Sequence, residues 1–233
     1  MDDKTKKRPF ERQIPPPESD LQVNFTTWPA GQCIYRIHAK CYMAGQFNPG
    51  MQGSARFSPL RNSQNQLVPT IYGGESSGVA VMETIFHDLP PRTDGQAFDK
   101  GNLLGLVYSV IAPKTDLKLV DLNPKTLKKM GITRAQLLDS AAEQYVYTQE
   151  YAAAIHMTQP MAHGLMWSSK QHGDSALMLF GDRVNEQQLD IIIESEVIVN
   201  SVTVMDVIED EADQLGIVFT EMGGGKEPDI AGP

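Results

Sequence analysis

The stretch Val68–Pro90, VPTIYGGESSGVAVMETIFHDLP, predicts a strand followed directly by a buried helix. Its first five residues include β-branched and aromatic side chains typical of a strand, and the pair Gly73-Gly74 predicts a turn. Ser76 or Ser77 then caps a helix that continues to about Leu89, where prolines stop it. Because this helix is apolar on nearly every side, we expect it to lie inside the protein.

Glu83 is the one charged residue in the middle of that apolar helix. It follows Val79 by four positions and precedes Phe86 by three, so all three share one helix face. A carboxylate on such a face is costly unless it is paired or hydrogen-bonded. The pattern leaves three interpretations open, namely a functional carboxylate, a structural ion pair and an exposed position on a short helix.

Strands and helices elsewhere in the chain are mixed without regular alternation. Further strands are predicted at Cys33–His38, Leu104–Ala112, Leu117–Leu122, Leu165–Ser168, Ala176–Phe180 and Val197–Val204. Helices are predicted at Pro124–Met130, after the capping pair Thr133 and Gln136, and at Ala141–Met157. These elements predict an α+β fold, with a mixed β-sheet core and flanking helices.

Composition divides the chain into one domain with two polar ends. Residues 1–30 are charged and proline-rich and predict an extended, partly disordered extension. Residues 223–233 predict a flexible tail. Residues 31–222 therefore form the predicted domain, with a core at about 32–184.

The overall charge and residue types exclude several classes of function. The formal net charge of −9 disfavours direct binding of nucleic acid, whereas a local basic pocket for a small anion remains compatible with it. The five histidines are scattered without a pair at metal-ligand spacing, so we expect no metal site. No apolar run is long enough to span a membrane, and the N-terminus lacks the apolar segment of a secretory signal. We therefore expect a cytoplasmic site of action, or export by a machine that does not use a cleaved signal.

Arginines and serines stand where pocket residues would be placed. Arg36 alternates with Tyr35 and Ile37 on a strand, and Arg56 lies in a glycine- and serine-rich stretch. The planar guanidinium group binds two oxygens at once, which suits a diphosphate. The pair Ser168-Ser169 follows an apolar strand, as at the rim of a pocket. For each feature taken alone, a surface arginine or an ordinary turn is the commoner explanation.

Four segments in order resemble one family, the RES domain, named for its Arg, Glu and Ser. They are ARFSPL at 55–60, the stretch Val68–Pro90, GLMWSSKQHG at 164–173 and ALMLFGDRV at 176–184. The resemblance extends over about Gln32–Val184. It implies a toxin of a type II toxin–antitoxin pair that degrades NAD⁺, with a fold similar to ADP-ribosyltransferase toxins. It also implies a partner that covers the cleft, a small Xre-like helix-turn-helix antitoxin or an immunity protein, and a homo-oligomer is possible.

The resemblance also implies which residues act. Glu83, Arg36 and Ser169 match the catalytic positions of the family. Binding of NAD⁺ would involve Arg56 and Tyr72, with Ser168 as a one-residue alternative to Ser169. The segment between Ser58 and Leu67 is longer than the family pattern, so Arg61 competes with Arg56 for the second arginine position.

The implied chemistry needs only one carboxylate. Cleavage of the nicotinamide–ribose bond develops positive charge on the ribose, and nicotinamide leaves as a neutral group without a general acid. Water, phosphate or a macromolecule is the acceptor, and transferases of this fold often carry a second acidic residue two positions before the glutamate, where this chain has Val81. A delivered interbacterial effector and a non-catalytic binding module are the other interpretations.

Overall fold

The fold is built on one large sheet with helices packed against it, in a computed structural model that describes residues 12–51, 53–87, 89–90 and 94–220. The strands are β1 (Phe25–Trp28), β2 (Ile34–Ala39), β3 (Leu60–Arg61), β4 (Leu67–Val68), β5 (Thr70–Gly74), β6 (Ala97–Asp99), β7 (Leu106–Pro113), β8 (Leu117–Asp121), β9 (Gly164–Ser168), β10 (Ser175–Phe180), β11 (Leu189–Val197) and β12 (Val218–Thr220). The α-helices are α1 (Ser77–Thr84), α2 (Pro124–Lys129), α3 (Arg134–Leu137), α4 (Tyr145–Thr158) and α5 (Val202–Leu215).

The main sheet is mixed, as predicted. Its strand order within the described residues is β1-β8-β9-β10-β5-β2-β7-β11. β8 and β9 run parallel, and the other neighbouring pairs of this sheet are antiparallel. The predicted α+β class with a mixed core sheet and flanking helices is therefore confirmed.

The sheet opens between β2 and β5. These two strands share one registered pair, Tyr35 with Gly74, whereas β2 pairs with β7 along its whole length. A Cβ atom on Gly73 would lie 2.5 Å from Ile34 Cγ2 and 2.8 Å from the Tyr35 carbonyl oxygen, so the strands meet where only glycine fits. The prediction of a turn at Gly73-Gly74 is wrong. Both residues belong to β5, and their role is close approach of two strands.

Helix α1 begins as predicted and ends earlier. The Ser76 hydroxyl accepts a hydrogen bond from the Val79 amide at 3.2 Å, which makes Ser76 the N-cap. The helix ends at Thr84, five residues before the predicted end near Leu89. Glu83 therefore lies in the last turn of α1, and its side chain is half-buried.

Apolar side chains cover both faces of the sheet. One face of β8, β9 and β10 packs against α4, and the same side of β2 and β7 packs against α1 and α5. The opposite face carries a third cluster that includes Trp28, Ile34 and Leu177. Because α1 and α4 sit on the same side, a cleft forms between them beside the opening of the sheet.

The C-terminal region differs from the prediction. Val197–Val204 was predicted as a strand, but β11 ends at Val197, a 3-10 turn follows at Ile198–Asn200, and α5 begins at Val202. Ser201 caps this helix by accepting a bond from the Val204 amide at 3.3 Å. The prediction failed because valines favour strands, whereas the helical spacing of the buried side chains decides the structure.

The N-terminal extension packs on the domain from residue 12 onward. Ile14 and Leu21 are buried in the cluster that contains α4, and β1 pairs with β8. The Gln13 amide donates to Gln144 Oε1 at 3.2 Å, and Gln159 Nε2 donates to the Leu21 carbonyl oxygen at 2.9 Å. Residues 12–30 thus belong to the folded body rather than to a separate extension. Residues 1–11 and the predicted tail at 223–233 lie outside the described residues.

Candidate active site

A cavity of about 440 Å³ occupies the cleft between α1 and α4. We call one side the helix wall, formed by Ala80, Glu83 and Thr84 of α1 with Lys170 and Gln171 of the turn after β9. The other side is the loop wall, formed by residues 54–56 and 140–143 with Tyr145. The volume is within the range of small-molecule sites.

Glu83 and Ser169 form a hydrogen-bonded pair on the helix wall. Ser169 Oγ donates to Glu83 Oε1 at 2.5 Å. Ser169 is buried, and its oxygen also accepts bonds from the Gln171 amide at 3.3 Å and from the His172 amide at 3.1 Å. The serine is thus held by the turn that follows β9 and presents its proton to the carboxylate.

Ser168 lies elsewhere, although it is the neighbour of Ser169. Its side chain is exposed, and its Oγ donates to the Gly173 carbonyl oxygen at 2.6 Å. Successive residues of a strand point to opposite faces, so only one of the two serines reaches Glu83. The structure therefore places the Ser169 hydroxyl against the Glu83 carboxylate, behind the residues that line the cavity, and the Ser168 hydroxyl away from it.

Arg36 reaches the cavity through the opening of the sheet. It alternates with Tyr35 and Ile37, yet it lines the cavity because β2 and β5 separate beyond the Tyr35–Gly74 pair. Its Nη1 donates to the Ala44 carbonyl oxygen at 2.7 Å, and its buried Nε finds no hydrogen-bond partner among the described residues. Burial lowers the pKa of Arg36 to about 10, so the group remains a cation at neutral pH.

Arg56 is held in the loop wall by main-chain oxygens. Its Nη1 donates to the Ser140 carbonyl oxygen at 3.2 Å and to Ser140 Oγ at 3.0 Å. Its Cζ lies 5.0 Å from the centre of the Tyr145 ring, a cation–π geometry. Arg61 is exposed on the β3–β4 hairpin and donates to the Asn65 carbonyl oxygen at 2.7 Å. The extra length between Ser58 and Leu67 forms this hairpin, which carries Arg61 away from the cavity.

Neither cavity arginine is neutralised by a neighbour. Within the ranges that the structure describes, no carboxylate lies at ion-pair distance from Arg36 or Arg56. A guanidinium group without a carboxylate partner has the charge and the planar geometry that suit an anion.

Tyr72 joins the loop wall to the floor of the cavity. Its hydroxyl donates to Ser58 Oγ and accepts from the Phe57 amide, both at 3.2 Å. Burial raises the pKa of Tyr72 above its usual value, so the phenol stays protonated. Its ring meets the Trp167 ring edge to face, with centroids 6.2 Å apart. The pair gives the cavity an aromatic floor.

Three cavity residues were not singled out from the sequence. Trp167 is almost fully buried beside Tyr72, Tyr145 lies under Arg56, and Lys170 adds a third cation at the rim. A signal was present for Trp167 and Lys170, because both flank the Ser168-Ser169 pair at the end of a strand. Tyr145 begins a helix far along the chain, and nothing local connects it to Arg56.

The described residues contain neither a metal-binding cluster nor a membrane-spanning helix. No group of three histidine, cysteine, aspartate or glutamate side chains in them could share a metal ion. No helix among them is long and apolar enough to cross a membrane.

Comparison with known proteins identifies the family. No curated protein matches the chain at a significant level. Among solved structures, the crystal structure of the M. tuberculosis MbcT–MbcA toxin–antitoxin complex is similar over 78% of this chain and 92% of that chain, with 16% sequence identity and a TM-score of 0.48. The family model of the RES domain matches residues 34–199, well over half of the chain. The chain therefore belongs to the RES-domain family.

Proposed function

We propose that this protein degrades NAD⁺ by cleaving the bond between nicotinamide and ribose. The observation that carries the proposal is the meeting of Arg36, Arg56, Tyr72 and Glu83 in one cavity, with Ser169 bonded to the carboxylate. These are residues that the resemblance to RES domains implies for NAD⁺ chemistry, and they are separated by long stretches of the chain.

The proposed binding mode places the diphosphate of NAD⁺ against the arginines. Arg36 and Arg56 approach from the sheet opening and from the loop wall, and neither has a carboxylate partner among the described residues. A diphosphate would compensate both charges and accept bonds from the buried Nε of Arg36. The aromatic floor of Tyr72 and Trp167 would then hold the nicotinamide end.

Glu83 would stabilise the positive charge that develops on the ribose as nicotinamide leaves. The bond between ribose C1′ and the pyridinium nitrogen breaks, its electron pair goes to the ring, and nicotinamide departs neutral. The carboxylate of Glu83 faces the developing cation, and Ser169 fixes its orientation. The acceptor oxygen then bonds to C1′ and gives up its proton, for which Glu83 is the nearby base.

A small acceptor, water or phosphate, is the version that we favour. Val81, two positions before Glu83, is fully buried in the core beneath α1. No carboxylate therefore stands at that position to orient a macromolecular acceptor. Arg36 and Arg56 have no carboxylate partner among the described residues, so the cavity is compatible with phosphate as the acceptor as well as with water.

We further propose that the protein is a toxin controlled by an antitoxin or immunity partner. Membership of the RES-domain family supports this role, because the resemblance implies a partner that covers the cleft. We place its action in the cytoplasm, on the NAD⁺ pool of the cell. A gene for a small helix-turn-helix protein beside this one would support a toxin–antitoxin pair.

Purified protein incubated with NAD⁺, with and without phosphate, tests the proposal. We expect free nicotinamide together with ADP-ribose, or with its phosphorylated form when phosphate is the acceptor, identified by chromatography and mass spectrometry. Glu83→Gln keeps an acceptor for the Ser169 hydroxyl and removes the charge. We expect it to lower kcat by about 10²- to 10³-fold.

Glu209→Gln is the matched control, because Glu209 is an exposed glutamate whose partner is Lys100 at 3.1 Å. It should retain the wild-type rate. Intact NAD⁺ with folded wild-type protein that carries no co-purified inhibitor would reject the enzyme and leave a binding module.

A further inference from the structure

Helix α5 lies outside residues 34–199, the part of the chain that matches the family, and yet it packs against the helix that carries Glu83. Val204, Ile208 and Ala212 of α5 are buried in the same cluster as Val81 of α1. The helix ends at Gly216, whose φ of 69° gives a left-handed cap. Helix α5 therefore packs against the helix that forms most of the helix wall.

Helix α5 approaches α1 closely at Gly78. A Cβ atom there would lie 2.4 Å from Glu211 Oε1 and 2.8 Å from His172 Nε2. The absence of a side chain on Gly78 thus leaves the space in which Glu211 meets His172. Glu211 Oε1 is 3.5 Å from His172 Nε2, and the two side chains are 15% and 22% exposed.

His172 connects this contact to the proposed catalytic pair. Its main-chain amide donates to Ser169 Oγ, and its ring Nδ1 lies 3.4 Å from Asp174 Oδ2 at the end of the same turn. The Ser169 amide in turn donates to the Asp174 carbonyl oxygen at 2.7 Å. A continuous set of contacts therefore runs from Glu211 through His172 and Ser169 to Glu83.

We propose that Glu211 is a positioning residue that fixes the Ser169–Glu83 pair by holding His172 against α1. The inference rests on the proposed function for its catalytic consequence. Glu211 does not line the cavity and touches no substrate. Its effect is to hold the turn at Ser169–Asp174 in the one arrangement in which the serine proton points at the carboxylate.

The test compares Glu211→Ala with Glu211→Gln and with Glu209→Ala. Glutamine keeps a polar side chain of the same length beside the His172 ring nitrogen Nε2, whereas alanine removes the contact. We expect Glu211→Ala to lower kcat for NAD⁺ by about three- to tenfold, no more than the loss of the Ser169 hydroxyl itself, with KM within about twofold. Glu211→Gln should recover most of the rate. Glu209→Ala removes a glutamate of the same helix that pairs with Lys100, and it should behave as wild type.

Amide hydrogen exchange of the peptide that contains Gln171 and His172 is measured on the same variants. We expect faster exchange in Glu211→Ala than in wild type or Glu209→Ala, because these two amides are bonded to Ser169 Oγ. An unchanged kcat in Glu211→Ala would overturn the inference. So would a loss that tracks the melting temperature and is not recovered by Glu211→Gln.

Failure of the proposed function gives a different pattern. Wild-type protein without activity on NAD⁺ would reject that function, and the exchange measurement would then decide the positioning role. Faster exchange in Glu211→Ala that is confined to the turn at Ser169–Asp174 would support the positioning role of Glu211, and unchanged exchange would reject it.

Discussion

The two walls of the cleft are built in opposite ways. The helix wall stands on a capped helix whose buried face packs on the sheet and on α5, and its functional groups are bonded to each other. The loop wall consists of loop segments, a 3-10 turn and the first residue of α4, and its arginine is held by main-chain oxygens and an aromatic ring. The helix wall thus offers one fixed carboxylate, whereas the loop wall offers an unneutralised cation.

This difference indicates a division of labour. A group that stabilises a transition state must be held in a narrow range of positions, which a packed helix provides. A group that binds an anion through charge and a planar fork tolerates more movement. We therefore expect changes in the loop wall to alter KM and changes in the helix wall to alter kcat.

Among the changes that separate the two walls, Arg56→Lys in the loop wall is expected to have the largest effect, which is on KM. Lysine keeps the charge but loses the planar fork and the stacking on Tyr145. We expect KM for NAD⁺ to rise by about 10- to 100-fold, which corresponds to the loss of one or two charge-assisted hydrogen bonds. We expect kcat to change much less. Steady-state kinetics measure both constants.

Arg61→Lys is the control for this change, because Arg61 lies on the exposed hairpin and should leave both constants unaltered. A fall in kcat with an unchanged KM in Arg56→Lys would contradict the division between the walls.

The two neighbouring serines allow a sharper test of the helix wall. Ser169→Ala removes the proton donor to Glu83, and we expect kcat to fall by about tenfold. Ser168→Ala removes a bond to the Gly173 carbonyl oxygen outside the cleft and should change kcat by less than about twofold. Equal losses in both variants, at equal melting temperatures, would show that the hydroxyl–carboxylate bond has no part in the rate.

The smallest expected effect is on stability, and it comes from the protonation of His38, which is influenced by the charge of Arg36. Burial, with a further contribution from the Arg36 charge, lowers the pKa of His38 to about 3. His38 is therefore neutral in the folded protein near pH 6, whereas in the unfolded chain it binds a proton at its ordinary pKa of about 6.5. Its contribution to stability is present above that value and is lost as the pH falls from about 6.5 toward 3.

Urea unfolding at pH 7 and pH 6 measures this contribution. We expect the free energy of unfolding of wild type to fall by about 0.7 kcal/mol more than that of His38→Asn over this interval. Equal changes in the two proteins would show that His38 is protonated in the folded state and that the positive charge beside it is compensated.

Local pattern predicted some parts of the site well. Glu83 was found because a carboxylate interrupts an apolar helix, and the Ser76 cap predicted where that helix begins. The Thr133–Gln136 capping box is present as predicted, because both partners lie within one turn. Helix α5 was missed because its valines resemble a strand when the spacing of Val204, Ile208 and Ala212 is not considered.

The local sequence pattern could not predict contacts between distant segments of the chain. The sequence left Arg56 and Arg61 as competitors, and Ser168 and Ser169 as alternatives. The β3–β4 hairpin leaves Arg56 and not Arg61 at the cavity, and the turn after β9 brings Ser169 and not Ser168 to Glu83. Tyr145 entered the site only through its packing with Arg56.

The sequence by itself determined the family, the mixed α+β class and the helix that carries Glu83, because these depend on residue types and spacings within short segments. The tertiary structure alone decided which arginine lines the cavity, which serine bonds that glutamate, and that Glu211 of α5 lies beside His172. The physical reason is that the opening of the sheet, the course of a hairpin and the packing of one helix on another arise from contacts across the whole chain. No local pattern of side chains encodes those contacts.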